Sequence, residues 1–437
     1  MNWPSPRRRA QWVALCLFLP GIWPGTASAQ SGSALQSEER VVITDTGLAR
    51  IRLVFEDFLR GPGATVDDAR AVQGVTSNDL DLSGAFTLYT IPRMAAGDSL
   101  GAMRAQALVR GEVRVTGGEL VLLGSLESLP ARALIFGREY RTRPENFREA
   151  AHRFADDILL YLTGEPGISR TRVAFVSDRA GHKELFVVDY DGHGMHPVTR
   201  NGAINLSPDW TQDGSALVFV SYKGGDPDMY SLDLAGGKER PVVGGKGVQG
   251  APACHPDGSL LAYSHTEGGE SEIYLTDLSG RNRRRVTRSS GISPSPCWSP
   301  DGRRIAFTSD RSGTRQVSVM EADGTGLRRL TFEGKWNDQA DWSPKGDRLV
   351  YSSRRDGLFR ICVVDASGLG GERQITRGPG SDEHPSWAPD GRHVVFSSTR
   401  GGAKGLYVLD VDGGSVRPLV TGGGNNSAPA WSPMPAR

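Results

Sequence analysis

One short phrase recurs six times in the second half of the chain. It appears as Trp210-Thr211-Gln212-Asp213-Gly214, Cys254-His255-Pro256-Asp257-Gly258 and Trp298-Ser299-Pro300-Asp301-Gly302. It continues as Trp342-Ser343-Pro344-Lys345-Gly346, Trp387-Ala388-Pro389-Asp390-Gly391 and Trp431-Ser432-Pro433-Met434. The first positions lie 44, 44, 44, 45 and 44 residues apart. A repeat of this length is one supersecondary unit that cannot bury its apolar face alone, so the copies must stack. Each phrase leads into a β-rich run such as Leu217–Ser221, Ile305–Ser309 or Val394–Ser398. A second strand follows, as at Leu185–Asp189 or Leu406–Asp410, and Asp-Gly or Ser-Gly turns close it. Four strands per repeat is the size of a propeller blade.

The phase of the repeat predicts how the ring closes. The array opens at Arg172-Val173-Ala174-Phe175 with no tryptophan strand ahead of it, and it ends at Ala428-Pro429-Ala430-Trp431 with none of the strands that should follow. Five complete units and two complementary fragments make six blades, with the last strand entering the blade begun by Val173–Ser177. The tryptophans are expected as plates between blades, and Pro-Asp-Gly as the tight turn that follows.

The period is absent before about Gly164. Ile51–Phe55 reads as a strand, and Ser77–Ser83 as a short helix ended by Gly84. Ala107–Val115 and Glu119–Leu126 read as a hairpin around Gly117-Gly118, and Pro144–Leu162 as a helix with Phe147, Ala151, Phe154, Ile158 and Leu162 on one stripe. The expected fold is therefore an N-terminal α/β domain (48–165) followed by a six-bladed all-β propeller (168–437), with Thr163–Gly167 as a hinge. Residues 1–29 read as a secretion signal: basic Arg7–Arg9, apolar Trp12–Leu19 and an Ala27-Ser28-Ala29 cleavage site. Residues 30–47 read as a flexible arm.

Removing Arg7–Arg9 with the signal leaves 48 basic residues against 50 acidic ones, which favours neither nucleic acid nor an anionic membrane as a partner. No later stretch is long enough to span a bilayer, so the mature chain is expected to be exported and soluble, and it is separately expected to be a monomer. Cys254, Cys297 and Cys362 read as small buried hydrophobes. No G-x-S-x-G elbow, phosphate loop or C-x-x-C pair occurs, and His193-Gly194-Met195-His196 falls in an inter-strand turn. No catalytic residue, metal ligand or cofactor is assigned. The loops before each tryptophan occupy one place in every blade and so line one mouth of the ring. Their candidate partner-binding residues are Asn205, Gln249, Ser293, Asn337, Asp338, Glu383, His384, Asn425 and Asn426.

The junction Leu162-Thr163-Gly164 with Arg170-Thr171-Arg172-Val173-Ala174, the Trp-Ser-Pro-Asp-Gly series and the terminal Pro429-Ala430-Trp431-Ser432-Pro433 resemble the TolB family of periplasmic propellers. The resemblance implies a non-enzymatic adaptor of the Tol-Pal envelope system that supports outer-membrane integrity and constriction at cell division. It implies a Pal-like peptidoglycan-associated lipoprotein at a propeller mouth. It also implies a TolA-like inner-membrane partner on the arm, where Glu39, Arg40, Val41, Ile43 and Asp45 form a strip able to add to a sheet edge. The alternative is a propeller enzyme, or a sugar- or metal-binding exported propeller.

Overall fold

The computed structural model describes residues 50–92, 103–288, 291–292 and 294–435. Chain contacts separate Met1–Glu39 from Arg40–Arg437, and all the described residues belong to the second unit. The arm candidates Glu39, Arg40, Val41, Ile43 and Asp45 lie outside the described residues, as does Ser293.

The N-terminal domain runs β1 (Ile51–Glu56), β2 (Leu59–Arg60), α1 (Val66–Leu82), β3 (Phe86–Ile91), β4 (Ala107–Thr116), β5 (Glu119–Ser128), β6 (Ala133–Thr142) and α2 (Phe147–Thr163). Its sheet has the order β3-β1-β4-β5-β6, with β1 parallel to both neighbours and β4-β5-β6 antiparallel. The β4–β5 hairpin turns on Gly117 and Gly118 at φ 62° and 81°, the two positive angles of a type I′ turn. The stripe expected on α2 is buried at Ala151, Phe154, Ile158 and Leu162, all 0% exposed. Phe154 packs so tightly under β5 that a Cβ at Gly124 would meet its ring at 2.6 Å.

Helix α1 is longer than the expected Ser77–Ser83. It starts at Val66 because the Thr65 hydroxyl accepts from the Asp68 amide at 3.1 Å, while the Asp68 carboxylate accepts from the Thr65 amide at 2.7 Å. This capping box uses Asp where Glu or Gln is usual. The buried face of α1 includes Thr76 and Asp79, which broke the apolar pattern in the sequence.

The second domain is six four-stranded sheets. In the composite blade Asn426–Trp431 pairs antiparallel with Arg172–Ser177, Asn426 opposite Ser177 and Trp431 opposite Val173, and the ring is closed. Closure removes the sheet edges that would otherwise template aggregation. The five tryptophans are 4–7% exposed. They also stitch blades together: the indole N–H of Trp210 donates to Ala430 O at 2.9 Å, and that of Trp298 to Ala253 O at 3.0 Å. Arg172, Arg304 and Arg348 stack over Trp210, Trp342 and Trp387 at 5.2, 4.8 and 5.2 Å. Where Cys254 replaces the plate, Ala216 occupies the matching arginine position. His255 packs edge-on against Trp298 at 4.5 Å.

The N-terminal domain docks on the end of the ring where the Asp-Gly turns lie. Asp79, buried on α1, accepts from the Tyr190 hydroxyl at 2.7 Å and sits 2.6 Å from His152 Nδ1. Arg148 pairs with Asp191, and Lys345 lies 3.8 Å from Glu165. The expected hinge is pinned, because Asp156 on α2 accepts from the Ser169 amide at 3.0 Å and from Arg170 Nε at 3.1 Å. The innermost strands begin at the opposite end of the ring and run toward the docked domain.

Candidate protein-binding mouth

The inner strands follow the pattern of a polar residue, then a kink, a proline (Ala340 in one blade) and the tryptophan (Cys254 in another). The polar position is Asn205, Gln249, Ser293, Asn337, Asp382 and Asn426 in successive blades. Asn205, Asn337, Asp382 and Asn426 are 0% exposed and Gln249 is 2% exposed, so these side chains are buried rather than presented at the mouth. Asn205 Nδ2 donates to Glu184 Oε2 at 2.9 Å, and Asn337 Nδ2 donates to Gln316 Oε1 at 2.8 Å and Glu333 O at 2.7 Å. Asn426 Oδ1 accepts from Ser177 Oγ at 2.8 Å and Arg179 at 2.9 Å. Asn205 and Asn337 thereby tie the start of their inner strands to the preceding blade, and Asn426 ties its own to the neighbouring strand of the composite blade, as buried amides must be tied.

Two residues further on, each inner strand kinks. Ser207, Ala251, Ser295, Gln339, His384 and Ala428 all have positive φ, between 44° and 57°. A left-handed non-glycine residue costs about 1–3 kcal/mol, and its repetition in every blade marks it as part of the architecture. After the kink, Pro208, Pro252, Pro296, Ala340, Pro385 and Pro429 line a central cavity of about 280 Å³. Asp209 and Asp341 also line it. Burial pushes Asp209 up to about 6 although it accepts from the Cys254 amide at 2.7 Å. It pushes Asp341 up to about 7 although it accepts from the Trp387 amide at 2.7 Å. His384 is driven down to about 4 by burial and is neutral at pH 7, with Nε2 2.8 Å from the Gln339 amide nitrogen. Among the described residues, no group of three His, Cys, Asp or Glu side chains could hold a metal ion.

The remaining candidates lie at the mouth and link its loops. Asp338 accepts from Thr308 Oγ1 of the preceding blade at 2.6 Å. Lys404 donates to Glu383 at 2.7 Å, and exposed Asn425 donates to Asp178 at 2.9 Å. The residue one place before each buried polar position is Ile204, Val248, Ile292 and Trp336, then Ser381 and Asn425; sequence reasoning named only Asn425 among them. Ile204 and Val248 are 44% and 48% exposed, so four consecutive blades carry an apolar rim and two carry a polar one. The signal was present in the same repeat, one residue out of phase with the amides. Phe332, 64% exposed, extends this rim outward.

A closed propeller whose one end carries a second domain and whose other mouth presents a mixed apolar and charged rim defines a class of two-domain propellers with one open mouth. The comparisons narrow the class. The family described as TolB beta propeller domain matches residues 160–435, and the chain belongs to that family. It is similar to the Tol-Pal system protein TolB of Geobacter metallireducens, 39% identical over 188 residues, covering 40% of this chain and 43% of that protein. It is also similar to the Protein TolB homolog of Chlorobium chlorochromatii, 36% identical over 41% of this chain and 43% of that one. The matched stretch thus spans less than half the length of these curated relatives. The crystal structure of TolB from Acinetobacter baumannii superposes with a TM-score of 0.79 at 27% identity, covering 88% of this chain and 97% of that one. The nidogen/laminin complex, at 9% identity and a TM-score of 0.52, shares the fold alone.

Proposed function

We propose that this chain is a periplasmic, non-enzymatic adaptor of the Tol-Pal envelope system. It works as a monomer that holds a Pal-like peptidoglycan-associated lipoprotein at its free propeller mouth and engages a TolA-like inner-membrane protein through the arm at Glu39, Arg40, Val41, Ile43 and Asp45. Export rests on the signal-like residues 1–29, and among the described residues no helix is long and apolar enough to cross a membrane. The observation that carries the reading is the division of labour between the two ends of the ring. The N-terminal domain takes one end through Asp79, Tyr190 and Asp191, and the other end keeps exposed apolar and charged side chains. Asp338, Glu383, His384 and Asn425 are the proposed contact residues there. Asn205, Gln249, Asn337 and Asn426 act indirectly, by holding the loops in place.

The test is capture of partners from envelope extract by the full chain and by a variant lacking residues 30–47. Loss of the TolA-like partner with retention of the Pal-like lipoprotein is expected. Loss of both, or of neither, would refute two separate surfaces.

A further inference from the structure

The mouth is not uniform. Where Arg315 and Trp336 bridge neighbouring blades, the guanidinium lies 4.0 Å over the Trp336 ring, and Phe359 meets that ring edge-on at 6.1 Å. The Trp336 carbonyl accepts from the Arg354 amide at 2.8 Å. Half-buried Trp336 is thus clamped in one orientation, which lowers the ordering cost of binding through it. Beside it Phe332 is 64% and Leu358 37% exposed, with Arg329 stacked on Phe332 at 4.8 Å. The loops of this blade and of the one before it carry exposed cations at Arg311, Lys335, Arg354 and Arg377, and exposed carboxylates at Glu333 and Asp356. Glu333 is already paired with Arg355 at 2.9 Å.

We infer that this aromatic–basic quadrant carries most of the binding energy of the mouth, and that it takes an acidic segment with a large apolar side chain at its centre on the protein partner. The inference rests on the adaptor reading above. Clustered Trp and Arg at a preorganised spot are the usual composition of an interface hot spot, and exposed aromatics held rigid against solvent mark an interaction surface. Surplus positive charge around an apolar centre selects a partner with discrete carboxylates at its rim. The interleaved Glu333 and Asp356 disfavour a continuous phosphate surface.

The probe is the lipid-free soluble domain of the Pal-like lipoprotein from the same cell, titrated at low and high salt. Trp336→Ala and Arg354→Glu are each expected to weaken binding ~10-fold or more, with the loss for Arg354→Glu shrinking at high salt. Leu369→Ala, on the other end of the ring, should bind as the parent does. The exposed Arg354→Glu variant guards against a folding defect in Trp336→Ala. If both quadrant variants bind normally while Asn425→Ala or Glu383→Ala loses binding, the mouth reading stands and the quadrant is overturned. If no mouth variant changes affinity, both fall. Capture of phosphatidylglycerol vesicles that is abolished by Arg354→Glu would assign the quadrant to lipid and overturn the protein partner.

Discussion

The buried amides at the start of the inner strands offer the sharpest test of what belongs to the fold and what to the partner. Asn337→Ala removes two hydrogen bonds donated to Gln316 Oε1 and Glu333 O at 2.8 and 2.7 Å from a side chain that is 0% exposed. Gln316 Oε1 keeps the Thr331 hydroxyl at 2.8 Å, so only the Glu333 carbonyl is left without this donor. At about 1 kcal/mol per net hydrogen bond, and somewhat more for an acceptor stranded out of water, the loss comes to about 2–3 kcal/mol. Urea unfolding should show this as a lower midpoint with an unchanged slope. Affinity for the Pal-like domain, measured on the folded fraction, should fall less than about threefold, because the side chain never reaches the mouth. An unchanged midpoint combined with weakened capture would refute the reasoning and return Asn337 to the contact surface.

Three further predictions follow from the same geometry. Tyr190→Phe deletes the hydroxyl that reaches buried Asp79 and is expected to cost about 1.5–3 kcal/mol, the range for a bond to a charged acceptor. A double-mutant cycle with Asp79→Asn should show coupling across the domain seam, and strict additivity would argue against it. Asp341, raised to about 7, binds its proton more tightly in the folded state than in the unfolded chain, so its stabilising contribution is complete below about pH 4 and is lost as pH rises through about 7. Asp341→Asn should therefore flatten the dependence of the melting temperature on pH between 5 and 8; an unchanged pH slope would sink this account. Trp431→Ala removes the plate of the closing strand, 6% exposed and bonded to Thr171 at 2.9 Å. It should cost about 3–5 kcal/mol and bring early proteolysis near the composite blade.

The two ends of the ring suit an adaptor for a mechanical reason. The seam is built of buried polar groups, with Asp79 between His152 and Tyr190, and Asp156 holding Ser169 and Arg170. Groups so desolvated are costly to separate, because each would be stranded without a partner. The N-terminal domain therefore presents a defined base, and the free mouth is held at the far end of the same inner strands.

The repeat alone determined the architecture. A period of 44 residues in six copies, with complementary fragments at its ends, admits little but a ring closed by its last strand. The pairing of Asn426–Trp431 with Arg172–Ser177 is what that phase requires. The stripe on α2 and the Gly117-Gly118 hairpin were legible for the same reason: short-range periodicity and turn chemistry are local. What the tertiary structure decided is which way the recurring side chains face. Asn205, Asn337 and Asn426 look like a polar cup in the sequence, yet they are buried, because Glu184 and Gln316 of the preceding blades and Ser177 of the composite blade supply their hydrogen-bond partners. Ile204, Val248 and Trp336, one residue upstream, look like ordinary strand residues but stand on the rim. A strand alternates its faces with each residue, so a shift of one position exchanges core for surface. Only the packing of one blade against the next sets which position is which. Helix α1 was read short at its N-terminal end, Val66–Thr76, where the capping box carries Asp68 in place of the usual Glu or Gln.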